Sequence, residues 1–159
     1  MNASLAAVTA DDSSTPASGA MSHRLPSARQ LRQTLPVDAA LAARIAAQRQ
    51  AVRDILNGED DRLLIVTGPC SLHDPDAALE YGQRLAALAD RVSDRALLVM
   101  RAYVEKPRTT VGWKGLLYDP HLDGRQDLAE GLRLCRALLR DLAGLGLPLA
   151  SELLSPLAA

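Results

Sequence analysis

An aliphatic run that changes abruptly into a cationic loop constrains this chain more than any other feature. Residues 97–100 read LLVM, with the length and composition of a strand covered on both faces, as strands in parallel sheets are. Three cations, Arg101, Lys106 and Arg108, follow within eight residues. Because ligands of α/β sheets bind beyond the carboxyl ends of the strands, this placement favours a ligand site at the end of the run.

The residue types of this loop suit phosphate. Planar guanidinium groups and an ammonium group together bind an anion with several oxygens, such as a phosphate or a phosphorylated sugar acid. Thr109 and Thr110 add hydroxyl donors, and Pro107 restricts the backbone between the cations. The alternative is a solvated basic loop, and the three cations alone do not exclude it.

Composition limits the class of protein. The formal net charge of -1 argues against a general nucleic-acid binder or a membrane-surface protein. The two cysteines, Cys70 and Cys135, do not make a disulfide framework, and no apolar run reaches the roughly 18 residues of a membrane span. Acidic residues at 11–12 precede any cation, so no export signal is expected. We therefore predict a cytoplasmic protein with no nucleic-acid or membrane partner.

Patterning divides the chain into three parts. Residues 1–30 are rich in Ala, Ser, Thr, Asp and Pro without any period, which predicts a disordered tail. Residues 31–62 contain an N-terminal extension helix, with apolar positions near the 3.6 period from Val37, Asp38 available as a cap and Gly58 as a stop. Residues 63–159 alternate strands with helices. The predicted elements are a buried strand at 63–66, a helix capped by Asp74 from Pro75 to about Asp90, the strand at 97–100, a helix from near Asp127 and a strand at 149–154. The second helix carries an apolar stripe that should face the sheet, formed by Leu128, Leu132, Cys135, Leu138, Leu139 and Leu142.

Strand, helix and strand in that order imply parallel pairing through a right-handed crossover. The result is the opening of an α/β sheet, either an open doubly wound sheet or a (β/α)8 barrel. A dinucleotide-binding sheet would carry a Gly-x-Gly-x-x-Gly turn after its first strand, whereas residues 68–73 read GPCSLH. This difference favours the TIM barrel. Since such a barrel needs about 250 residues, residues 63–159 are expected to form only its first three strands, an incomplete, truncated barrel with an N-terminal extension.

Two further residues stand where barrel enzymes carry their chemistry. Cys70 follows the first strand, where its thiolate can be a soft metal ligand or a nucleophile, although free cysteines are more often small buried hydrophobes. Glu152 interrupts the third strand near its end, and we include it among the candidate substrate-binding residues. An inward-pointing carboxylate there needs a cation or a metal's ligand shell, whereas an outward one needs neither. Cys135 is predicted to be core, and Trp113 to pack the long loop down.

Three long strings carry a family resemblance. They are GPCSLHDP at 68–75, MRAYVEKPRTTVGWKG at 100–115 and DPHLDG at 119–124. They closely resemble the bacterial type I 3-deoxy-7-phosphoheptulonate (DAHP) synthases, and the resemblance extends over residues 35–159. It implies a (β/α)8 barrel and a transferase that condenses phosphoenolpyruvate with erythrose 4-phosphate to DAHP and phosphate. That reaction is the first step of the shikimate pathway, which leads to chorismate and the aromatic amino acids.

Matched by motif, the resemblance implies roles for single residues. Cys70 would be a ligand of a divalent metal ion of the manganese, iron, cobalt or zinc type. Arg101 and Lys106 would be catalytic and contact phosphoenolpyruvate, and Arg108 with Thr109 would bind the phosphate of erythrose 4-phosphate. In the family the metal polarises the aldehyde, C3 of phosphoenolpyruvate attacks it, and water adds at C2 before phosphate leaves. The resemblance also implies an aromatic amino acid effector and a homo-oligomer.

The family carries its other metal ligands, a His, a Glu and an Asp, beyond the third strand. By this resemblance the chain holds only part of a catalytic site. We therefore expect synthase activity in a complete parent enzyme, and we expect this chain alone to be inactive. The competing hypotheses are an inactive truncated remnant and a non-catalytic module that keeps the phosphate-binding loop.

Overall fold

The computed structural model describes residues 25–108, 111–152 and 154, so most of the predicted tail and Thr109 lie outside the described residues. None of the described helices is both long and apolar enough to cross a membrane. The elements are the helices α1 (Ala28–Thr34), α2 (Ala39–Asn57), α3 (Pro75–Arg91) and α4 (Leu128–Gly144), and the strands β1 (Leu63–Thr67), β2 (Ala96–Arg101) and β3 (Leu149–Ala150).

The helices α3 and α4 begin where their capping residues predicted. Asp74 Oδ1 accepts hydrogen bonds from the backbone N–H groups of Asp76 and Ala77, which leaves fewer unpaired donors in the first turn of α3. The side chain of Asp127 accepts in the same way from the N–H of Glu130 in α4. Both predicted helices are confirmed, because their start signals are local.

The N-terminal boundaries differ from the prediction. α1 starts at Ala28, inside the segment 1–30 that was predicted as a tail. Ser27 and Gln30 form a reciprocal capping box, in which each side chain accepts from the other's backbone N–H. The extension 31–62 holds the end of α1 in addition to α2, whose caps, Asp38 and Gly58, are those that the sequence predicted. The capping box was visible in the sequence as a Ser followed three residues later by a Gln.

The strands form one parallel sheet in the order β1-β2-β3 within the described residues. β1 pairs with β2 along its whole length, from Leu63 opposite Ala96 to Thr67 opposite Met100. This register confirms the predicted strand, helix, strand order with parallel pairing. It also brings the carboxyl ends of β1 and β2 side by side, which decides where the loops that follow them meet.

β3 is shorter than the strand predicted at 149–154. Its backbone pairing with β2 ends at Ala150, whose carbonyl accepts from the N–H of Ala102 at 2.8 Å. Further along, the N–H of Leu154 donates to the side chain of Glu105 at 3.0 Å instead of to a neighbouring strand. The segment after β3 is therefore held by a carboxylate, which no strand pattern could predict.

The core lies where α3 and α4 pack against β2. Gly82 of α3 allows this packing, because an added Cβ would lie 2.8 Å from both Leu142 Cδ2 and Leu145 Cδ1. Met100 of β2 is fully buried beneath this contact. The buried apolar cluster includes Leu72, Ala78, Leu85, Ala96, Leu98, Met100, Cys135, Leu138, Leu142 and Leu147. The stripe predicted on α4, with Cys135 in it, is thus confirmed as core.

β1 is more exposed than its aliphatic sequence predicted. Leu63 and Val66 retain 66% and 53% of their exposure, whereas Val99, the β2 partner of Val66, retains 5%. β2 has a strand on either side, but β1 is an edge of the described sheet. Burial here depends on the neighbours of the strand, and the prediction of a buried first strand is corrected accordingly.

Candidate anion-binding site

Arg101 joins the ends of β1 and β2. Its Nη2 donates to the carbonyl of Gly68 at 2.7 Å, and its Nε donates to the carbonyl of Pro69 at 2.9 Å. Gly68 permits this close approach, since an added Cβ would lie 2.6 Å from the carbonyl oxygen of Arg101. The guanidinium is therefore fixed at the rim of the sheet by neutral acceptors, which orient it without neutralising its charge.

Tyr103 provides a second link between the same two loops. Its carbonyl accepts from the N–H of Leu72 at 2.8 Å, and its ring lies 5.5 Å from the guanidinium carbon of Arg101. A cation over an aromatic face at this distance is attracted by the ring quadrupole. The orientation of Arg101 is thus determined by contacts from both strand ends.

Lys106 and Cys70 meet at this rim although they are 36 positions apart in the sequence. Lys106 Nζ donates to Cys70 Sγ at 2.8 Å. This hydrogen bond is the main cause that lowers the pKa of Cys70, with the charge of Lys106 next and those of Arg101 and Arg108 further down. The thiol is exposed, so the contact presents a sulfur donor and a cation to solvent together.

The loop that carries Lys106 and Arg108 folds back on itself. The N–H of Lys106 donates to the carbonyl of Lys114 at 2.9 Å, and the N–H of Arg108 donates to the carbonyl of Lys106 at 2.8 Å. The Trp113 indole donates to the carbonyl of Asp119 at 2.8 Å, which confirms that it packs the loop down. We call residues 101–108 the cationic loop below. Its turn structure keeps the cations on one rim.

The positive charge of the cationic loop is not neutralised by the ion pairs of the described residues. Those pairs involve Arg62, Arg84, Arg95, Arg125, Arg133 and Arg140, all of them elsewhere. Arg101, Lys106 and Arg108 therefore form a cluster of cations whose described partners are carbonyls and a thiol. Such a cluster favours an anion with several oxygens.

Glu152 is partly buried and does not join the cations. Its Oε2 is inaccessible to solvent and has no hydrogen-bond partner among the described residues. Buried side-chain polar atoms ordinarily have a hydrogen-bond partner, and Glu152 Oε2 and Arg136 Nε are two exceptions among the described residues. Of the two directions left open for this side chain, the burial of Oε2 agrees with the inward one, while the role of Glu152 toward a substrate stays a prediction.

Cys70 has the chemistry of a metal ligand, but the described residues do not complete a metal centre around it. An exposed thiol with a lowered pKa is a soft donor. Within residues 25–108, 111–152 and 154, no group of three or more His, Cys, Asp and Glu side chains is placed to hold an ion. Cys70 therefore fits as a single ligand, and the remaining donors would have to come from elsewhere.

Glu105 is the member of the site that the sequence reasoning missed. It is 1% exposed, and its Oε1 accepts from the Tyr118 hydroxyl at 3.0 Å. Its Oε2 accepts from the N–H of Leu154. The available signal was one carboxylate, between Val104 and Lys106, in a loop otherwise rich in cations.

A larger cavity lies away from these residues. Its volume is about 880 Å³, and it is bounded by α1, α2, α4 and one face of the sheet. Its lining includes Leu64, Val66, Val99, Leu132, Leu139 and Leu149, together with Arg32, Arg49, Arg53, Arg136 and Arg140. None of the predicted site residues lines it, so its size does not make it the site of the chemistry.

A cluster of cations at the carboxyl ends of parallel strands identifies an α/β protein with a candidate anion-binding site. A family model described as the DAHP synthetase I family matches residues 35–159, and the chain belongs to that family. The resemblance identified from the three sequence strings is confirmed. Family membership does not by itself assign the activity of the whole enzyme to this chain.

The chain is similar to curated proteins and to a solved structure. It is 56% identical to the phospho-2-dehydro-3-deoxyheptonate aldolase of Amycolatopsis methanolica over 127 residues. This alignment covers 80% of this chain and 63% of that protein. It is 55% identical over 127 residues to the Tyr-sensitive phospho-2-dehydro-3-deoxyheptonate aldolase of Escherichia coli (strain K12), which covers 80% of this chain and 36% of that protein. The structure of phospho-2-dehydro-3-deoxyheptonate aldolase from Francisella tularensis SCHU S4 matches with a TM-score of 0.80 and 43% identity, covering 83% of this chain and 39% of that one. The chain thus spans less than two thirds of the length of these relatives.

Proposed function

We propose that this chain is the substrate-binding N-terminal part of a DAHP synthase, a transferase that joins phosphoenolpyruvate to erythrose 4-phosphate. In this proposal residues 63–159 form the first three strands of a (β/α)8 barrel, and residues 31–62 form its N-terminal extension. One observation carries the proposal: Arg101 is fixed between the ends of β1 and β2 beside Lys106 and Cys70, with its charge not neutralised.

Arg101 and Lys106 would hold phosphoenolpyruvate. Arg101 uses Nε and Nη2 on carbonyl oxygens, so its Nη1 hydrogens are left to donate to a carboxylate or phosphate oxygen. The Lys106 ammonium beside it adds a second charge toward the same anion. Fixed cations of this kind act by orienting the reacting carbon and by stabilising charge that develops during attack and phosphate loss.

Arg108 and Thr109 would bind the phosphate of erythrose 4-phosphate. Arg108 is exposed on the same rim, and the backbone bond from its N–H to the Lys106 carbonyl holds the two cations in a fixed relation. Two phosphate groups would then be held apart by neighbouring cations of one loop. Glu152 would contact a bound substrate at the end of β3.

Cys70 would supply one ligand to a divalent metal ion. Thiolate is a soft ligand that several transition metals accept. Cys70 alone therefore does not choose among manganese, iron, cobalt and zinc. When bound, such an ion acts as a Lewis acid toward the aldehyde oxygen. By the family resemblance the remaining ligands, a His, a Glu and an Asp, would come from beyond the third strand.

The complete enzyme is proposed to be a cytoplasmic homo-oligomer with an aromatic amino acid effector. Curated relatives are named as Tyr-sensitive, Trp-sensitive and Phe-sensitive aldolases. The three names differ in the amino acid, so the effector class rather than one effector is carried over. Neither a nucleic acid nor a membrane is part of this proposal, in keeping with the net charge of -1.

A non-catalytic phosphate-binding module is the second candidate. The observation that favours it is the combination of a well-formed cationic loop with a single metal ligand among the described residues. Such a module would bind phosphorylated acids without turning them over. The two candidates differ in one outcome: only the synthase segment should give DAHP formation when it is joined to the rest of the barrel of a relative.

A chimera tests the proposal. Residues 35–159 replace the matching segment of the Escherichia coli Tyr-sensitive relative, and DAHP formation and phosphate release are measured. We expect an active chimera, and we expect Arg101→Ala to lower kcat/KM by about 10²-fold or more, as for loss of a fixed charge donor. A folded chimera that binds phosphoenolpyruvate but forms no DAHP would instead favour the binding module.

A further inference from the structure

We propose that Glu105 is a positioning residue that holds the cationic loop against the segment after β3. The inference rests on the proposed function, because it assigns the support of the same anion-binding loop. Glu105 itself points away from solvent, with 1% exposure, so it acts through other residues. It lies directly before Lys106, the residue whose position it would determine.

The two carboxylate oxygens of Glu105 serve two different segments. Oε1 accepts from the hydroxyl of Tyr118, which lies beyond the turn of the loop. Oε2 accepts from the backbone N–H of Leu154, which follows β3. One side chain therefore ties together three parts of the chain that are separate in sequence. A carboxylate can do this because each of its oxygens accepts independently.

The backbone around Glu105 has little room to move. Gly115 packs so closely that an added Cβ would overlap the carbonyl oxygen of Val104 and lie 2.7 Å from the Cα of Glu105. Just beyond, the N–H of Lys106 donates to the carbonyl of Lys114 at 2.9 Å. The backbone of Glu105 is thus held by its close contact with Gly115, and its side chain is held by two hydrogen bonds.

The consequence is a defined position for the Lys106 ammonium. Lys106 is half-buried and its Nζ contacts Cys70, and a long side chain of this kind samples many rotamers unless its backbone is fixed. The anchored side chain of Glu105 fixes the backbone from which the Lys106 side chain extends. Loss of the anchor should loosen the 2.8 Å contact between Lys106 Nζ and Cys70 Sγ before it disturbs the sheet.

The reactivity of Cys70 in the 159-residue chain provides the test. The rate of Cys70 alkylation by iodoacetamide is measured by peptide mass spectrometry at one pH near neutrality, for the parent chain and its variants. Lys106→Met removes the ammonium, and we expect it to slow alkylation roughly threefold or more. We expect Glu105→Gln to slow alkylation nearly as much, because glutamine has one acceptor oxygen and cannot satisfy both donors.

Three further variants separate positioning from a general loss of structure. Tyr118→Phe keeps the packing and removes one donor, so it should give an intermediate rate, and combining it with Glu105→Gln should slow alkylation no further. Glu80→Gln is the matched control on the exposed face of α3, where Glu80 pairs with Arg84, and it should leave the rate unchanged. Helix content by circular dichroism should be the same in all of them.

The outcomes distinguish this inference from the proposed function. If Cys70 is alkylated at the parent rate in Glu105→Gln and Tyr118→Phe but slowly in Lys106→Met, the positioning role is overturned and the proposed site is left intact. Equal alkylation rates in the parent chain and in Lys106→Met would show that Lys106 does not act on the Cys70 thiol. Both the inference and the proposed function depend on that contact. Slowing in Glu80→Gln as large as in Glu105→Gln would also overturn the inference, since it would reflect a general effect of losing a carboxylate.

Discussion

At the scale of single residues, two cysteines of this chain illustrate how environment assigns chemistry. Cys70 is exposed beside Lys106, whose hydrogen bond lowers its pKa. Cys135 is buried in the core, where burial raises its pKa to about 12 and the nearby Glu105 charge adds to the effect. The same thiol is therefore a reactive group at the rim and an inert apolar group under α4.

Alkylation as a function of pH should separate these two cysteines. Because the pKa of Cys70 is lowered, its thiolate should persist to lower pH than that of a free thiol, and its rate profile should lie on the acidic side of the profile for the unfolded chain. Cys135 should react only after unfolding in urea. Mass spectrometry of labelled peptides measures both. Equal labelling of the two cysteines in the folded chain would contradict the assigned environments.

Arg108 provides a test of how the loop divides its substrates. In the chimera, Arg108→Ala should raise the KM for erythrose 4-phosphate by about tenfold or more and change the KM for phosphoenolpyruvate much less, because one charge-assisted contact is lost from one phosphate. Arg125→Ala is the matched control, since Arg125 pairs with Asp123 outside the cationic loop. Equal increases in both KM values would be incompatible with the proposed division.

At the scale of elements, glycines decide how closely α3 and α4 approach their neighbours. A Cβ at Gly131 of α4 would overlap the carbonyl oxygen of Leu117, which belongs to the backbone of the long loop. A Cβ at Gly82 of α3 would meet only the ends of leucine side chains. The helical Gly144 has nothing within 4 Å of its Cβ direction. An added methyl group should therefore be tolerated best at Gly144, less well at Gly82 and least at Gly131.

Alanine substitutions at these glycines should follow that ranking. In the chimera, Gly131→Ala should lower the free energy of unfolding by about 1–3 kcal/mol, because backbone must shift, and Gly82→Ala should cost less. Gly144→Ala should be neutral or stabilising by up to about 1 kcal/mol, since alanine is the better helix former. Urea denaturation measures all three. A Gly144→Ala loss larger than that of Gly131→Ala would refute the ranking.

At the scale of the whole molecule, the described chain leaves apolar sheet uncovered. On β1, Leu63, Ile65 and Val66 retain 66%, 40% and 53% of their exposure. Val66 also lines the cavity of about 880 Å³ on one face of the sheet. An exposed aliphatic edge of this kind favours pairing with other chains.

The 159-residue chain should therefore associate in solution. Analytical ultracentrifugation should detect species heavier than the 17.0 kDa monomer, with a fraction that grows with concentration. A charge on the edge, as in Val66→Lys, should reduce association. Leu88→Lys is the control, because Leu88 is exposed at 43% on α3 rather than on the strand edge. A monodisperse monomer with a sharp thermal transition would rule out this expectation.

The sequence by itself determined the local elements and the residue types of the site. Asp74 and Asp127 predicted the starts of α3 and α4, because a cap acts on backbone groups two or three residues away. The strand, helix, strand order determined parallel pairing, and the position of Arg101 at the carboxyl end of β2 placed a cation at the rim. These signals are either local or topological, so neither requires knowledge of packing.

Only the tertiary structure decided which of these residues meet. Lys106 touches Cys70 because the register of β1 on β2 brings two loop starts together, and no periodicity in the sequence encodes that distance. Glu105 looked like one charge among several until its two partners placed it in the interior. The exposure of β1 likewise depends on strands beside it, since side-chain burial is a property of neighbours in space rather than of neighbours in sequence.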